Sequence, residues 1–337
     1  MVPIPSDILG CPAYPTIYIT LYSRLCVSSN QKALGMLLDK IRNKESGIVL
    51  YGIVPPKKAT APEKLEEISS RQIQRLQSFK IDGLILYDIQ DEKSRMPVER
   101  PFPFIETLDP FFYSHAYLSS LRIPKIIYKS VGKYSQAELS RFLAQASPEN
   151  SLTVLVGASS KSQKITLSLS EAYELKREIN GNLLMGGVTI PERHLAKGDE
   201  HTRVFDKISQ GCSFFVSQGV YDVNTSKSFL SDYYYYGQEH NIPLVPIIFT
   251  LTPCGSLKTL QFMKWLGISI PRWLENELTR STDILQQSVE LSEQNWLELK
   301  HFATQKGIPI GCNIESVAVR QIEVEASIEL LQRVTEQ

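Results

Sequence analysis

The sequence predicts an α/β fold: a closed (β/α)8 TIM barrel with an N-terminal extension and extra helices before the last strand. Two observations support this prediction. Eight short runs rich in Val, Ile, Leu and aromatic residues recur along the chain, and a stretch with helical periodicity follows most of them. Apolar runs that alternate with helices are typical of parallel strands covered on both faces. Eight such units favour a closed barrel.

The predicted strands and helices alternate in chain order. The strands are Gly47–Val54, Gly83–Ile89, Lys125–Ser130, Leu152–Gly157, Leu183–Val188, Ser213–Gln218, Leu244–Phe249 and Ile310–Ile314. The helices are Pro62–Ser78, Asp109–Leu121, Ser135–Gln145, Ser170–Glu178, Asp199–Gln210, Asn224–Glu239, Ser256–Leu266 and Arg320–Thr335.

Two segments lie outside this alternation. Residues 1–45 form a predicted extension that we expect to pack on the single barrel domain of residues 46–337. The extension holds a strand-like Thr16–Tyr22 and a predicted helix Asn30–Asn43. Before the last strand, Asp283–Gln305 repeats its apolar residues at mostly helical spacing, which predicts an additional long helix.

An open, doubly wound sheet is the alternative fold. That fold would favour a glycine-rich GxGxxG turn after the first strand, where backbone N–H groups bind a pyrophosphate. Residues Val54–Lys58 read Val-Pro-Pro-Lys-Lys instead and provide no such row of N–H groups. The closed barrel therefore remains the preferred prediction.

The composition excludes several classes of protein. The 36 Lys and Arg residues equal the 36 Asp and Glu residues in number, so the chain lacks the cationic surplus typical of nucleic-acid binding through phosphates. No apolar run approaches the roughly 20 residues that span a bilayer. The first residues lack a basic cluster followed by an apolar core, so no secretory signal is predicted. We expect a cytoplasmic protein that binds neither nucleic acid nor membrane.

Cysteines and histidines give no metal-site signature. The five cysteines are widely spaced without a CxxC pair, and we interpret them as buried thiols. The histidines lack HxH or HxxxH spacing, so the sequence predicts no metal site. They are His115, His194, His201, His240 and His301.

Polar residues at the ends of predicted strands should line the mouth of the barrel, its opening at the carboxyl ends of the strands. The pair Gly186-Gly187 could let the backbone approach a flat ligand, and Glu192, Arg193 and His194 follow it; alternatively these three form a surface ion pair and a helix cap. Gln218 ends an apolar strand, so its amide could hold the edge of a heterocycle or could be a satisfied structural side chain.

Four consecutive tyrosines, Tyr233–Tyr236, lie late in a predicted helix. Successive residues of a helix face different sides, so we expect part of this run in the core and part on the surface. A homo-oligomer with these tyrosines in a subunit contact is compatible with the neutral charge.

Three stretches resemble the methylenetetrahydrofolate reductase family, flavoproteins built on an eight-stranded barrel. Residues 186–194 read Gly-Gly-Val-Thr-Ile-Pro-Glu-Arg-His, similar to the family's Gly-Val-Ala-x-x-Pro-Glu-x-His. Residues 211–223 resemble its Gly-Ala-x-Phe-Phe-x-x-Gln-x-x-Phe-Asp. Residues 266–274, with Val245–Ile248, resemble its seventh strand and its Gly-x-x-Ile-Pro-x-Trp-Leu helix. The match covers mainly the C-terminal half of the chain.

The resemblance implies a site for FAD and a folate. It places Gln218 and Tyr221 against the folate-like substrate and implies NAD(P)H as the reductant. The residues at the implied FAD positions are Tyr128, Gly157, Ala158, Ile190, His194, Glu200, Arg203 and Lys207.

The sequence departs from the family at charged positions. Where the family has Glu-x-x-Pro-Pro, whose Glu protonates the folate, this chain has Gly52 followed by Ile-Val-Pro-Pro. The family also has Arg-Gly-Asp after strand 4, where this chain has Val-Gly-Ala with Gly157 in the middle. Another acid in the mouth could replace the missing one, because proton transfer depends first on geometry. The candidate catalytic acids are Asp88, Glu92 and Glu315.

Two functions follow from these observations. The first is a flavin-dependent reductase that transfers hydride from NAD(P)H through FAD to 5,10-methylenetetrahydrofolate or a related one-carbon pterin. The second is a non-redox descendant that binds a folate-like ligand as a one-carbon transferase, regulator or partner subunit. The first is the preferred hypothesis, and the charged residues lost from the family pattern support the second as the alternative.

Overall fold

A computed structural model describes residues 36–91, 98–157 and 165–336. Its eight strands are all parallel and close into a barrel in the order β1 to β8, with β8 paired to β1. The predicted (β/α)8 barrel is therefore confirmed, and the open sheet is excluded. The strands are β1 (Ile48–Ile53), β2 (Gly83–Leu86), β3 (Lys125–Ser130), β4 (Ser151–Val156), β5 (Met185–Thr189), β6 (Cys212–Gly219), β7 (Ile247–Leu251) and β8 (Ile310–Glu315).

Helices surround the barrel, and most of the predicted helices are present. Residues 36–42 form helix α1, and a single 3₁₀ turn, Val131–Lys133, follows β3. The other helices are α2 (Pro62–Leu76), α3 (Pro110–Tyr117), α4 (Gln136–Gln145), α5 (Leu169–Ile179), α6 (Pro191–Lys197), α7 (Glu200–Ser209), α8 (Val223–Glu239), α9 (Leu257–Trp265), α10 (Arg272–Arg280), α11 (Ile284–Lys306) and α12 (Gln321–Thr335).

Local sequence signals set many of the helix ends. Ser135 and Ser168 each begin a helix with a reciprocal capping box, in which the serine and a glutamate three residues later satisfy free N–H groups. The short α6 was not predicted, although Pro191 at its first turn and the left-handed Gly198 after its end are ordinary start and stop signals. Strand β7 begins later than predicted, after Pro246, which has no N–H to donate.

Two apolar clusters separate the inside of the barrel from its outside. Alternate strand residues such as Leu50, Ile85 and Phe214 fill the lumen, and α1 adds Leu37 and Leu38 to this inner cluster. Because α1 packs on the first residues of the strands, it plugs the end of the barrel opposite the mouth. The remainder of the predicted extension, including Thr16–Tyr22, lies outside the described residues.

The outer cluster packs the helices on the wall of the barrel. Tyr233 is fully buried there, its hydroxyl bonded to the backbone of Val245, whereas Tyr235 is 52% exposed. The tyrosine run is thus divided between core and surface, as predicted. Cys212, Cys254 and Cys312 are buried free thiols, also as predicted. Among the described helices, none has the length and apolar content needed to cross a membrane.

Candidate functional site

A carboxyl group lies in the mouth at the end of β8. Cys312 and Ile314 point into the outer cluster, so Asn313 and Glu315 face the lumen. The Tyr87 hydroxyl is hydrogen-bonded to Glu315 and accepts a hydrogen bond from Asn313 Nδ2 at 2.9 Å. Asn313 Nδ2 also lies 3.4 Å from Glu315 Oε2. These contacts hold the acid in one position.

Gly52 provides the room for this group. It is the direct register partner of Glu315 across the β1–β8 pair. A Cβ atom at position 52 would lie 2.8 Å from Tyr87 Cε2 and 3.2 Å from both Asn313 Oδ1 and Glu315 Oε2. The strand-1 position that carries an acid in the resembled family is therefore empty of a side chain. A carboxyl from the neighbouring strand occupies the adjacent space.

The surroundings of Glu315 favour its protonated form. Burial raises the pKa of its carboxyl, and the hydrogen bonds from Tyr87 and Asn313 only partly oppose that rise. Burial and the charge of Glu315 also raise the pKa of the Tyr87 and Tyr128 hydroxyls, whose rings meet edge to face at 4.8 Å. A buried carboxyl with a raised pKa beside neutral phenols is suited to donate a proton.

Hydrogen bonds extend this arrangement along the rim of the barrel. Asn313 Nδ2 lies 3.2 Å from Thr250 Oγ1, which donates at 2.7 Å to the carbonyl of Ser217. The Ser217 hydroxyl accepts from the Thr250 N–H at 2.9 Å. Strands β8, β7 and β6 are thus joined by side chains just inside the mouth. We call Gly52, Tyr87, Tyr128, Asn313 and Glu315 the strand-8 side of the mouth.

Across the rim, Gln218 and Glu192 contact the same loop after α9. Gln218 Nε2 donates to the carbonyl of Leu266 at 2.6 Å, and the Ser269 backbone donates to the Glu192 carboxyl. The remaining oxygens, Gln218 Oε1 and Glu192 Oε2, are buried without a hydrogen-bond partner in the described structure. We call Glu192, Gln218 and residues 266–269 the strand-6 side of the mouth. Two buried acceptors on this side thus have no partner among the described residues.

Burial raises the pKa of Glu192 to about 7, and the negative charges of Asp222 and Glu200 add to the effect. The carboxyl is therefore close to half protonated at neutral pH. It can act as donor or acceptor depending on what binds to it. The alternative of an exposed ion pair between Glu192 and Arg193 does not describe such a buried oxygen.

The glycine pair of β5 does not admit a ligand. A Cβ at Gly186 would lie 2.5 Å from the Phe214 ring in the lumen, and one at Gly187 would lie 2.6 Å from the Phe215 ring outside it. The two glycines are required because aromatic rings of β6 pack on both faces of β5. The predicted close approach of a flat ligand at this pair is therefore wrong.

Asp88 faces away from the lumen, which argues against its predicted catalytic role. Its carboxylate accepts the Ser130 N–H at 2.8 Å and the Tyr134 hydroxyl at 2.9 Å, and it forms a salt bridge with Lys133. The side chain is 2% exposed. Asp88 thus joins β2 to the turn after β3 and has a structural role.

Tyr221 also points away from the mouth. It is buried in a cluster beneath α9 and α10, and its hydroxyl donates to the carbonyl of Thr252 at 2.8 Å. A side chain enclosed in this way contacts no ligand in the mouth. The predicted substrate contact by Tyr221 is therefore not supported.

Two residues at the implied FAD positions form hydrogen bonds with the backbone at the end of β5. Glu200 Oε1 accepts the Ile190 N–H at 2.7 Å, and Lys207 Nζ donates to the Val188 carbonyl at 2.6 Å. Lys207 also lies against the outer face of Gly187. Both side chains therefore attach α7 to the end of β5 from outside the lumen.

The other implied FAD positions add no charge directed into the mouth. His194 is buried and bonded to Asp232 at 3.0 Å, and Arg203 reaches Asp199 at 3.4 Å. Gly157, at the end of β4, has no side chain. Glu200, Lys207 and His194 thus each bond to a group of the wall, and Glu200 Oε2 and His194 Nδ1 have no partner among the described residues. Tyr128 remains in the mouth, while Ala158 and the candidate acid Glu92 lie outside the described residues.

Sequence reasoning missed Asn313, Thr250 and Tyr87 as parts of the site. Tyr87 and Asn313 lie within predicted strands and Thr250 directly follows one, so the alternation of side chains along a strand could have placed them on the lumen face. Their mutual hydrogen bonds could not, because strands that are distant in sequence supply them.

Comparisons with known proteins agree with the resemblance. A family model described as methylenetetrahydrofolate reductase matches residues 157–294. A solved structure of an uncharacterized protein from Clostridium thermocellum, which binds two copies of 5-methyl-5,6,7,8-tetrahydrofolic acid, is 52% identical. The similarity covers 89% of this chain and 99% of that one, with a TM-score of 0.80. No curated protein matches the chain.

Two further solved structures have much lower sequence identity. A GH113 β-1,4-mannanase is 12% identical over 86% of this chain and 98% of that one, with a TM-score of 0.49. Xanthomonas albilineans dihydropteroate synthase is 11% identical over 85% of this chain and 91% of that one, with a TM-score of 0.44. Such weak similarity says nothing about function. The family model and the 52% identical structure together show that the chain belongs to the methylenetetrahydrofolate reductase family.

Proposed function

We propose that the protein binds a reduced folate carrying a one-carbon group, such as 5-methyltetrahydrofolate, in the mouth of the barrel and does so without a flavin. The proposal rests on one observation: a protein that is 52% identical, and similar over 99% of its length, binds 5-methyl-5,6,7,8-tetrahydrofolic acid. Similarity at that level supports a shared ligand class more strongly than the fold alone does.

The strand-6 side would recognise the pterin ring. A pterin presents a ring N–H and an amino group along one edge, and both are donors that need acceptors. Gln218 Oε1 and Glu192 Oε2 are buried acceptors without a partner in the described structure. Leaving such atoms unpaired costs about 1–3 kcal/mol each, so a ligand that pairs them gains affinity and specificity.

The strand-8 side would supply the proton. Burial keeps the Glu315 carboxyl protonated to a higher pH than usual, and Tyr87 and Asn313 fix its direction. A folate nitrogen that carries a one-carbon group becomes a better leaving group when it is protonated. Glu315 is thus placed to hold a proton at that nitrogen, in the role that the missing strand-1 acid would have had.

Flavin chemistry is not part of this proposal. Side chains at the implied FAD positions bond to the backbone of β5 or to a neighbouring helix. Strand β4 ends in Val156 and Gly157, neither of which carries a charge. Reductase activity of the family type therefore remains a prediction for experiment.

The test combines one titration and one spectrum of the purified protein. We expect saturable binding of 5-methyltetrahydrofolate by calorimetry and no absorbance band near 450 nm, the region in which any oxidised flavin absorbs. Added FAD should not bind, and NAD(P)H should not be oxidised in the presence of methylenetetrahydrofolate. Failure to bind any reduced folate would contradict the proposal as a whole.

The spectrum and the NAD(P)H assay test the absence of a flavin separately from folate binding. A yellow protein that oxidises NAD(P)H with a folate acceptor would confirm the reductase function and overturn the non-redox part. A matched ligand control is fully oxidised folic acid, whose pterin edge is similar but whose ring is flat and carries no one-carbon group. We expect it to bind more weakly than the methylated, reduced form.

A further inference from the structure

Three helices bring together side chains that could bind a metal ion. His194 is on α6, His201 begins the next helix, α7, and Asp232 lies in the middle of α8. One possible ligand atom from each lies within 4.8 Å of the other two. The cluster lies among the helices outside the wall, separate from the mouth.

The distances suit a small divalent ion. His194 Nε2 and Asp232 Oδ2 are 3.0 Å apart, and the two imidazole rings meet edge to face at 5.4 Å between centroids. Ligand atoms around a tetrahedral zinc, with bonds of about 2.0–2.1 Å, lie about 3.3 Å from one another. One pair is thus already close to that spacing, and small rotamer changes would bring the third atom in.

One ring nitrogen of each histidine makes no hydrogen bond within the described chain. His194 Nδ1 and His201 Nδ1 are both buried without a hydrogen-bond partner in the described chain, and His194 is 7% exposed. A buried imidazole normally pairs both of its ring nitrogens. An ion held between His194 Nε2 and Asp232 Oδ2 would leave His194 Nδ1 unchanged, but it would give His201 Nδ1 the partner that it lacks in the described chain.

The three side chains lie between aromatic rings and solvent. Phe229 and Tyr236 pack against the two imidazoles edge to face. The Asp232 side chain, by contrast, is 55% exposed. One side is thus closed by aromatic rings and the other is open to solvent, which gives an ion an entry path and a position for water.

We propose that His194, His201 and Asp232 form a binding site for a divalent transition metal of the zinc class, with water as a further ligand. Two imidazoles and one carboxylate favour zinc, cobalt or nickel over magnesium or calcium, which prefer oxygen ligands. Because the ligands come from α6, α7 and α8, the ion stabilises the helices that pack behind the β5 end of the mouth. This site is independent of folate binding.

The sequence alone did not indicate this site. His194 and His201 are seven residues apart and are separated by a helix end at Gly198, so they lack the spacing of two ligands on one helix. Asp232 follows 31 positions after His201 and belongs to another helix. Only the packing of α6, α7 and α8 makes the three neighbours.

The test is calorimetric titration of metal-stripped, tag-free protein with Zn²⁺. We expect one equivalent to bind per chain and the melting temperature to rise on binding, because the ion binds only the folded state. Asp232→Asn and His201→Gln should each weaken zinc binding at least about tenfold, since even outer-shell partners contribute 10–100-fold. Co²⁺ should produce a visible absorption band that zinc removes.

Matched variants separate this site from general surface binding. His240→Gln and Asp206→Asn change an exposed histidine and an exposed aspartate outside the cluster, and both should leave zinc affinity within about twofold of the wild-type value. Asp232 is exposed enough that its variant should fold normally, so loss of binding there cannot be attributed to unfolding. Absence of zinc binding, or equal binding by Asp232→Asn and His201→Gln, would overturn the proposal.

Discussion

The two sides of the mouth differ in what their polar side chains bond to. On the strand-8 side, Tyr87, Asn313 and Glu315 bond to one another in a compact cluster, and Asn313 Oδ1 is buried without a partner among the described residues. On the strand-6 side, Gln218 and Glu192 each use part of their side chain on the loop after α9 and leave one buried oxygen unpaired in the described structure. The first arrangement fixes a chemical group, and the second is prepared to accept a ligand.

This difference shows how a site can keep its position while its residues change. The acid missing from strand 1 of this family member is matched by Glu315 on the adjacent strand, where Gly52 leaves the necessary space. Gln218 remains at its family position on the other side. Substitutions on the strand-8 side should therefore act mainly on stability, and those on the strand-6 side mainly on binding.

The largest effect is expected for Gly52→Glu. A side chain there overlaps Tyr87 and lies beside Glu315, so it combines overpacking, at about 1–3 kcal/mol, with a second buried carboxyl next to the first. We expect the free energy of unfolding to fall by about 3 kcal/mol or more, measured by urea denaturation.

A double variant sharpens this prediction. If Gly52 and Glu315 compete for one space, Gly52→Glu combined with Glu315→Ala should be more stable than Gly52→Glu alone. Such a favourable coupling free energy is the signature of direct contact. Strict additivity of the two changes would show that the side chains do not share the same part of the lumen.

A smaller loss is expected for Glu315→Leu. This change leaves the Tyr87 hydroxyl without its acceptor, which costs about 1–3 kcal/mol, while Asn313 Nδ2 keeps Tyr87 and Thr250 as acceptors. The matched variant Glu315→Gln keeps an acceptor for Tyr87 and should lose less than half as much. Both free energies follow from denaturant titrations. Equal losses for Leu and Gln would indicate that Glu315 contributes through its volume and not through its hydrogen bonds.

The strand-6 side should show a pH dependence that comes from Glu192. Its pKa in the folded protein is raised from 4.5 to about 7, so between these values the folded state binds more protons than the unfolded state. The stabilisation is complete below about pH 4.5 and is lost as the pH rises through 7, with a slope of at most about 1.4 kcal/mol per pH unit.

Glu192→Gln isolates this contribution. The variant should lose stability less steeply than the wild-type protein between pH 5 and pH 7, while the two curves run parallel above about pH 8. Glu239→Gln, at an exposed glutamate that ends α8, is the control and should keep the wild-type slope. Identical slopes for Glu192→Gln and wild type would mean that this carboxyl titrates normally.

The sequence predicted the barrel because its signals are local. Each strand is an apolar run, and each helix has periodicity and end signals such as Ser135, Ser168 and Pro191. The site was harder to predict because it depends on which way a side chain points and what it meets. Asp88 and Glu315 are both acids near strand ends, yet one faces outward to Lys133 and the other faces the lumen.

The same limit applies to the resemblance. Glu200 and Lys207 occupy family positions, but only their contacts with the backbone of β5 show that both side chains are used in the wall. Gly186 and Gly187 likewise serve packing in this chain, because the rings of Phe214 and Phe215 lie against them. Conserved packing and conserved ligand contacts look alike in a sequence, and coordinates separate them.

The central claim, that a folate binds in the mouth against Gln218, is tested most directly by the dissociation constant of 5-methyltetrahydrofolate for Gln218→Ala. We expect about a tenfold increase in that constant, equivalent to one good hydrogen bond, with a melting temperature close to that of the wild-type protein. Gln238→Ala, at an exposed position near the end of α8 away from the mouth, should bind normally. Unchanged folate affinity in Gln218→Ala, or a large loss of stability in its place, would contradict the account.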